Sequence, residues 1–530
     1  MLDHNKAPII AALKNSAQKP HAPFYAPGHK QGQGIPQALT DLLGTTVFPA
    51  DLPELPELDN LFAPEGVIQE AQELAAETFG ALHTKFLING STAGVIAAIL
   101  ATCGSGDKII LPRNIHQSVI SGLILSGAMP IFINPEYDPD RDIALSITPE
   151  SVCQALAKHP DTKAVMAVYP TYHGVCGDIA AIAQQVHKYN IPLLVDEAHG
   201  PHFAFHPNLP LPALVGGADL TVQSIHKVLG AMTQASMLHI GSKRIDCHRL
   251  SQALQMLQSS SPNYLLLASL DAARQQMALF GQELMSHTLQ LSNDARNRIS
   301  LLANFSVFDR EARGKKEEGK SLTASPTDSD LSGNENQRSS FSRRGERVIE
   351  SYINPGFVAL DQTRLTVKVS DIGLSGYEAD EILHQELGVT CELPSFNHLT
   401  FIISLGNTKA DIDHLVNALV SLGQQSLREK FHQLTHQGAK LNLNLIDSSM
   451  LLSPRDAFFA QKDYLPREKS LGCISAELIC PYPPGIPVLM PGEIITQQHL
   501  EILEQVRALG GIIAGCSDPS LKTIKICRIG

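Results

Sequence analysis

The sequence predicts an α/β chain: a mainly parallel sheet covered by helices, then a smaller α+β domain and a C-terminal α+β unit. Three observations predict it. Short apolar runs alternate with stretches of helical periodicity from Glu65 onward, and polar residues follow directly on several of those runs. A single stretch, 309–347, then breaks the rhythm, almost devoid of large apolar side chains. Strands that alternate with helices pair in parallel through crossovers, and such sheets place ligands at the carboxyl ends of their strands.

The elements follow in chain order. Residues 1–62 are rich in turn formers (Pro23, Pro27, Gly28, Gly32, Gly34, Pro36, Pro49, Pro53, Pro56), which reads as an irregular arm. It holds one short helix near Pro8 to Ser16 and is expected to wrap a neighbour instead of folding alone. Apolar residues at helical spacing (Val67, Ala71, Leu74, Ala75, Phe79) predict a helix over Gly66 to Phe79. Strands are expected at Lys85 to Ile88, Lys108 to Leu111, Met129 to Ile133, Ala164 to Tyr169, Pro192 to Val195 and Leu220 to Gln223, with a helix at Ala93 to Thr102. This large domain spans 63–300.

The 309–347 stretch cannot bury enough surface to offset its ordering entropy, and reads as a disordered insertion within a small domain at 301–425. Strand and helix signals resume at Val348 to Ile353, Leu365 to Val369, Glu378 to Leu387, Leu399 to Ile403 and Asp411 to Leu422. A last unit, 426–530, carries the Pro- and Gly-rich run Pro481 to Pro487. A chain of 530 residues exceeds a single core, and 43% hydrophobic content suffices for several.

Charge and cysteine usage narrow the class. A net charge of −12 without a basic block argues against nucleic acid as the main partner. Nine cysteines, an odd count with no Cys-x-x-Cys pair, read as reduced thiols and not as a disulfide frame or metal site. No apolar run reaches membrane-spanning length and the first residues lack an apolar signal core, so the cytoplasm is the expected compartment.

Four sets of residues point to chemistry. Ser224-Ile225-His226-Lys227 follows the run Leu220-Thr221-Val222. A lysine at the end of a buried strand loses its proton when desolvated and then attacks an aldehyde, which is how pyridoxal 5'-phosphate is held. Gly90-Ser91-Thr92-Ala93-Gly94 joins a strand to a helix, so its N–H groups and hydroxyls converge at a positive helix end suited to phosphate; an ordinary N-cap at Ser91 or Thr92 is the structural alternative. Asp196 ends the run Pro192 to Val195. A buried carboxylate there needs a partner charge, and a protonated pyridine nitrogen is one. His116, in Asn114 to Ser118, is placed to lie against a flat ring, or simply to cap a loop.

With these parts on the chain in this order, the sequence resembles the fold-type-I pyridoxal phosphate enzymes, and within them the prokaryotic ornithine/lysine/arginine decarboxylase family. The resemblance extends over nearly the whole chain outside 309–347. It rests on Phe24 to Gly32, Glu57 to Leu61 with Pro64-Glu65-Gly66, Gly90 to Gly94, Asp196 to Gly200, the lysine motif, Ser259 to Leu266, Pro481 to Pro487 and Met490 to Glu493.

The resemblance implies an aminotransferase-like large domain in which Lys227 carries the cofactor and His226 contacts phosphate or donates a proton. It further implies that Asp196 pairs with the ring nitrogen while His116 stacks on the ring. Ser91, Thr92 and Ser224 would hold the phosphate, His199 would lie near the phenolic oxygen, and Ser260 and Ser261 would reach a neighbouring subunit's phosphate. A homodimer or higher oligomer, decarboxylating arginine, lysine or ornithine, is the implied assembly. Glu477 and Glu493 are the candidate carboxylates for the cationic substrate tail, because a desolvated ammonium or guanidinium needs one.

Other readings fit less well. Gly314 to Ser321 satisfies the phosphate-loop pattern and Asp196 to His199 spells a helicase motif, but the loop lies in a polar stretch without the strand and helix that an ATPase requires. Cysteine desulfurases share Ser-x-His-Lys, yet a Gly-Pro-rich turn follows their lysine, where Val228 to Gln234 follows here. An aminotransferase lacks a clear counterpart for its carboxylate-binding arginine motif. An inactive binding homologue is the non-enzyme reading, against which the joint presence of Lys227, Asp196 and His116 speaks.

Overall fold

The computed structural model describes residues 2–20, 22–310, 354–429, 449–482, 486–508 and 510–528. The phosphate-loop string at 314–321, the strand expected at 348–353 and all but residues 309 and 310 of the expected insertion lie outside them.

The helical and apolar runs become, in order, α1 (Pro8–Ala17), α2 (Val67–Phe79), β1 (His83–Leu87), α3 (Gly90–Thr102), β2 (Lys108–Pro112), α4 (Gln117–Ser126), β3 (Met129–Ile133), β4 (Thr162–Val168), β5 (Leu193–Asp196), β6 (Leu220–Gln223), β7 (Ser236–Ile240) and α5 (Tyr264–Ser300). The seven strands form one sheet in the order β1-β7-β6-β5-β4-β2-β3. β2 to β6 pair in parallel, whereas β7 runs antiparallel to both β1 and β6. β7 is absent from the strand pattern read in the sequence. Its Ser236 and His239 interrupt the apolar run, and both are fully buried, His239 bonded to Thr84 Oγ1 at 2.8 Å and Gln223 Oε1 at 3.1 Å.

Strand side chains alternate between faces, and the two faces feed two separate cores. Ile110, Val165, Ala167, Leu193, Val195 and Met237 face one core with α2 and α5, while Ile109, Leu111, Ala164, Met166, Leu194 and Leu238 face the other with α3 and α4. Burial on both faces explains why the strands read as continuous apolar runs. α3 lies flush on the sheet at Gly94, where a Cβ would come within 2.6 Å of Leu87 Cδ1 and 2.7 Å of Val222 Cγ1. Only the absence of a side chain brings the start of α3 this close to the strand ends.

The arm holds the expected short helix. α1 packs on its own chain: Ile9 and Leu13 are buried, the Ile9 N–H donates to Asp271 Oδ2 (3.0 Å), and Arg274 donates to the Lys6 carbonyl (2.7 Å). Two apolar residues one turn apart and a buried carboxylate to receive the first free N–H suffice to seat it.

α5 runs for 37 residues. Its first part joins the large core through Leu267, Leu270 and Met277, and its last turns join a third core through Leu291, Ala295 and Ile299. That core lies against an antiparallel sheet of β8 (Ser306–Val307), β9 (Arg364–Lys368), β10 (Leu393–Pro394) and β11 (His398–Ile402), in the order β8-β9-β11-β10, with helices Gly376–Glu386 and Lys409–Glu429. A fourth core gathers Ile479, Leu489, Ile495, Leu503 and Ile524 near the C-terminus. This last unit is fastened to the large domain by Arg113, which follows β2. Its guanidinium donates to the carbonyls of Pro487 (3.2 Å) and Val488 (2.9 Å) and pairs with Glu493 Oε2 at 3.2 Å.

Gly94→Ala is expected to destabilise the protein by about 1–3 kcal/mol through overpacking between α3 and the sheet. Calorimetry would show an earlier thermal transition, whereas Gly104→Ala, whose methyl meets no atom closer than 3.5 Å, leaves the transition in place.

Candidate active site

The carboxyl ends of β2, β4, β5 and β6 open on one cleft. Ser91, Asn114, His116, Ser118, Val168, Pro170, Tyr172, Asp196, Ala198, His199 and Lys227 line it. Each enters from a strand end or the turn after it, as a parallel sheet dictates. β6 ends at Gln223, Ser224 caps a single helical turn (Ile225–Val228), and that turn carries Lys227 into the cleft. β5 delivers Asp196 at its last position, and the following turn delivers His199.

Lys227 is half-buried, and its Nζ lies 3.0 Å from His199 Nε2 and 6.0 Å from the centre of the Tyr172 ring. Burial lowers the lysine's pKa; the carboxylates of Asp196 and Glu392 pull it back up, and Arg364 pushes it down further. His116 Nδ1 accepts from the Ser118 N–H (3.2 Å), which caps α4 and leaves the ring's other nitrogen to carry the proton. The capping role and the cleft position therefore coexist in one histidine. Burial also lowers the His116 pKa, with Lys227 adding to the effect and Asp196 opposing it.

Asp196 is 8% exposed and accepts from the Ala198 N–H at 3.2 Å. Its neighbour Glu197 turns away into the core, where it accepts from the Ala213 N–H and Gln223 Nε2, both at 2.9 Å, and burial pushes its carboxyl up to about 7. Of two adjacent acids, only Asp196 faces the cleft. Ser224 Oγ donates to Ser91 Oγ at 2.8 Å, which pairs two hydroxyls at the N-terminus of α3. The N-cap position of that helix is Asn89, not Ser91 or Thr92, and no side chain makes the capping bond, so the Ser91 hydroxyl is not spent on the helix's own first turn.

The remaining sequence candidates divide. Thr92 is exposed on the first turn of α3, and His226 is half-buried beside Lys227 with its N–H donating to the Ala235 carbonyl (3.2 Å); neither lines the cleft. Ser260 and Ser261 are exposed in the turn before α5, away from the cleft lining. Glu477 and Glu493 are not brought to it either. Glu477 is buried and accepts from the Ser517 N–H and Oγ (both 2.8 Å) and the Lys525 N–H (2.9 Å), and Glu493 is fully buried against Arg113 and the Met490 N–H (2.8 Å). Their carboxylates serve the C-terminal unit, so the substrate-tail expectation is corrected for both.

Two residues absent from that expectation act on the site from the small domain. Arg364, at the start of β9, is fully buried and donates from Nη2 to His199 Nδ1 (3.2 Å) and to the His199 carbonyl (3.1 Å). Glu392, before β10, is exposed and close enough for its charge to act on both Lys227 and Arg364. An arginine directly ahead of the run Leu365-Thr366-Val367 was the one sequence signal for the first; nothing local marks the second.

The donor set suits a planar aldehyde cofactor bearing a phosphate: a desolvated lysine, a carboxylate at a strand end, and paired hydroxyls at a helix N-terminus share one cleft.

Residues 7–411 match the family model described as Orn/Lys/Arg decarboxylase, major domain, and residues 446–515 match the C-terminal domain of the same family. An arginine decarboxylase from Bacillus subtilis is 35% identical over 527 residues, covering 99% of each chain, and one from Bacillus anthracis is 34% identical over 528 residues, covering 99% of this chain and 98% of that one. The lysine decarboxylase LdcA of Pseudomonas aeruginosa is 25% identical over 576 residues, covering 94% of this chain and 75% of that one. In fold, the chain is similar to the solved lysine decarboxylase A from Pseudomonas aeruginosa, with a TM-score of 0.78, 23% identity, and coverage of 98% of this chain and 80% of that one. With both family domains matched in order and a relative more than one-third identical end to end, the chain belongs to the Orn/Lys/Arg decarboxylase family, enzymes that decarboxylate basic amino acids.

Proposed function

We propose that the chain is a pyridoxal 5'-phosphate enzyme that decarboxylates arginine, with Lys227 as the residue that carries the cofactor. The observation that carries this reading is the cleft itself, in which a desolvated Lys227 meets Asp196, His116 and the Ser91–Ser224 pair. When bound, the cofactor supplies an electron sink for the pair of electrons left behind as CO₂ departs. Asp196 would hold a proton at the pyridine nitrogen, and His116 would lie against the ring. Ser91 and Ser224, with Thr92 on the same turn, would hold the phosphate. Lys227 in its ammonium form, or His226, would give a proton to the former Cα, and the neutral group left behind takes one up again from solvent.

Arginine is favoured over lysine because relatives named arginine decarboxylase reach 34–35% identity over essentially the whole chain, while those named lysine decarboxylase reach 24–25%. Glu392 is the proposed partner of the substrate's guanidinium: it is an exposed carboxylate whose charge already reaches Lys227 from the small domain. The exposed Ser260-Ser261 turn supports a homodimer in which that turn completes a neighbour's phosphate site. All nine cysteines are free, which supports a reducing compartment, the cytoplasm. No helix among the described residues is long and apolar enough to cross a membrane.

Purified protein supplied with pyridoxal phosphate is expected to release CO₂ from arginine, yielding agmatine, faster than from lysine or ornithine. Borohydride reduction should fix the cofactor's mass on Lys227. Lys227→Ala is expected to lose at least about 1000-fold in turnover and the reduced adduct with it; a variant that kept full turnover would sink the proposal. Glu392→Gln is expected to raise KM for arginine about tenfold or more with a smaller change in kcat, and steady-state kinetics on the two proteins would read this directly.

A further inference from the structure

Arg364 carries a charge that is costly to bury, and both hydrogen bonds its guanidinium makes among the described residues go to His199. A guanidinium offers donors only. The nitrogen it meets at 3.2 Å, His199 Nδ1, must therefore present a lone pair. The second bond, to the carbonyl of the same residue, locks the guanidinium and imidazole in register. A neutral ring with a lone pair on Nδ1 bears its proton on Nε2, and Nε2 is the atom 3.0 Å from Lys227 Nζ. An N–H aimed at an amine requires that amine to be an acceptor, so an ammonium at this position would set hydrogen against hydrogen.

We propose that Arg364 is a positioning residue for Lys227: by donating to Nδ1 it fixes His199 with its proton on Nε2, so that the ring donates to Nζ and the lysine stands as a free amine. The inference rests on Lys227 being the cofactor lysine, as proposed above. The groups facing Lys227 divide in the expected way. Asp196 from β5 and Glu392 from the small domain favour the ammonium, whereas burial and Arg364 from β9 disfavour it. His116 ahead of α4 and the adjacent His226 are themselves held toward the neutral form, by burial first and by Lys227 after it, and the Tyr172 ring forms the remaining wall. Burial, together with the charges of Lys227 and Arg364, keeps the His199 pKa well below the ordinary value, as the hydrogen-bond pattern requires. The device spans two domains: the small-domain strand sets the protonation state of a large-domain nucleophile.

The test is made on the full chain stripped of cofactor, with brief acetic anhydride labelling across pH and mass-spectrometric counting of label on Lys227. Arg364→Met is expected to raise the labelling midpoint by about one pH unit, roughly tenfold less free amine at a given pH, and Arg364→Lys to restore most of it. In a His199→Phe background the same Arg364→Met change should move the midpoint by less than about 0.3 unit. Equal shifts in both backgrounds would reveal a direct charge effect and overturn the proposal, as would no shift in either. Should the methionine variant fail to fold, the ¹⁵N spectrum of histidine-labelled wild-type protein decides: a protonated Nε2 on His199 supports the proposal and a protonated Nδ1 overturns it. Attachment of the cofactor to Lys227 is read separately by the borohydride adduct, so the two readings fail independently.

Discussion

Desolvation of one amine, Lys227, is the constraint on which the arrangement of this chain turns. An ammonium in water is a poor nucleophile, and withdrawing it from water lowers its pKa. The sheet does this by burying both faces and leaving only strand ends open, so that a lysine one helical turn past β6 meets protein on most sides. The carboxylate of Asp196 opposes this, because its charge favours the ammonium. The burial, the histidine contact and the Arg364 charge together have to outweigh it.

The large domain supplies the cleft, but its electrostatics are set partly from outside. Arg364 and Glu392 both come from the small domain and act on Lys227 with opposite sign. The turn after β5 is one of the places where the two domains meet. There His202 lies 3.2 Å from Asp361 and 3.2 Å from Thr363, while Thr363 Oγ1 donates to Asp361 at 2.7 Å. Burial would favour a neutral Asp361, yet His202 and Arg364 outweigh it and hold the carboxyl down to about 2. The same turn carries His199, so the network that ties the domains also aims the ring at the lysine. On the other side, the Arg113 clamp on the C-terminal unit begins three residues before His116.

Much of the large domain was legible in the chain itself. Continuous apolar runs marked the five strands that pair in parallel, β2 to β6, within a residue or two of each end, and the edge strand β1 by its second half. Gly90 to Gly94 was read as a strand-to-helix turn because its glycines and hydroxyls have few other uses. β7 escaped because Ser236 and His239 satisfy their polar groups inside the sheet, which periodicity does not register. Where the arm's helix docks was not legible, because its partners, Asp271 and Arg274, lie more than 250 residues away in sequence. Local pattern carries no information about such a distant receptor.

For the site, the sequence by itself singled out the candidate lysine, the strand-end aspartate, the histidine ahead of α4 and the hydroxyl-bearing turn, which the structure brings to one cleft. Each is a residue type bound to one chemical task and placed at a strand end, a position that local pattern reveals. Tertiary structure alone decided which charged groups surround them. It withdrew Glu477 and Glu493 into the C-terminal unit and set Arg364 against His199 and the Glu392 charge within range of Lys227, both from beyond the 309–347 stretch. The physical reason is that a charge acts through space over several ångströms, and which charges come within that range depends on how the domains pack.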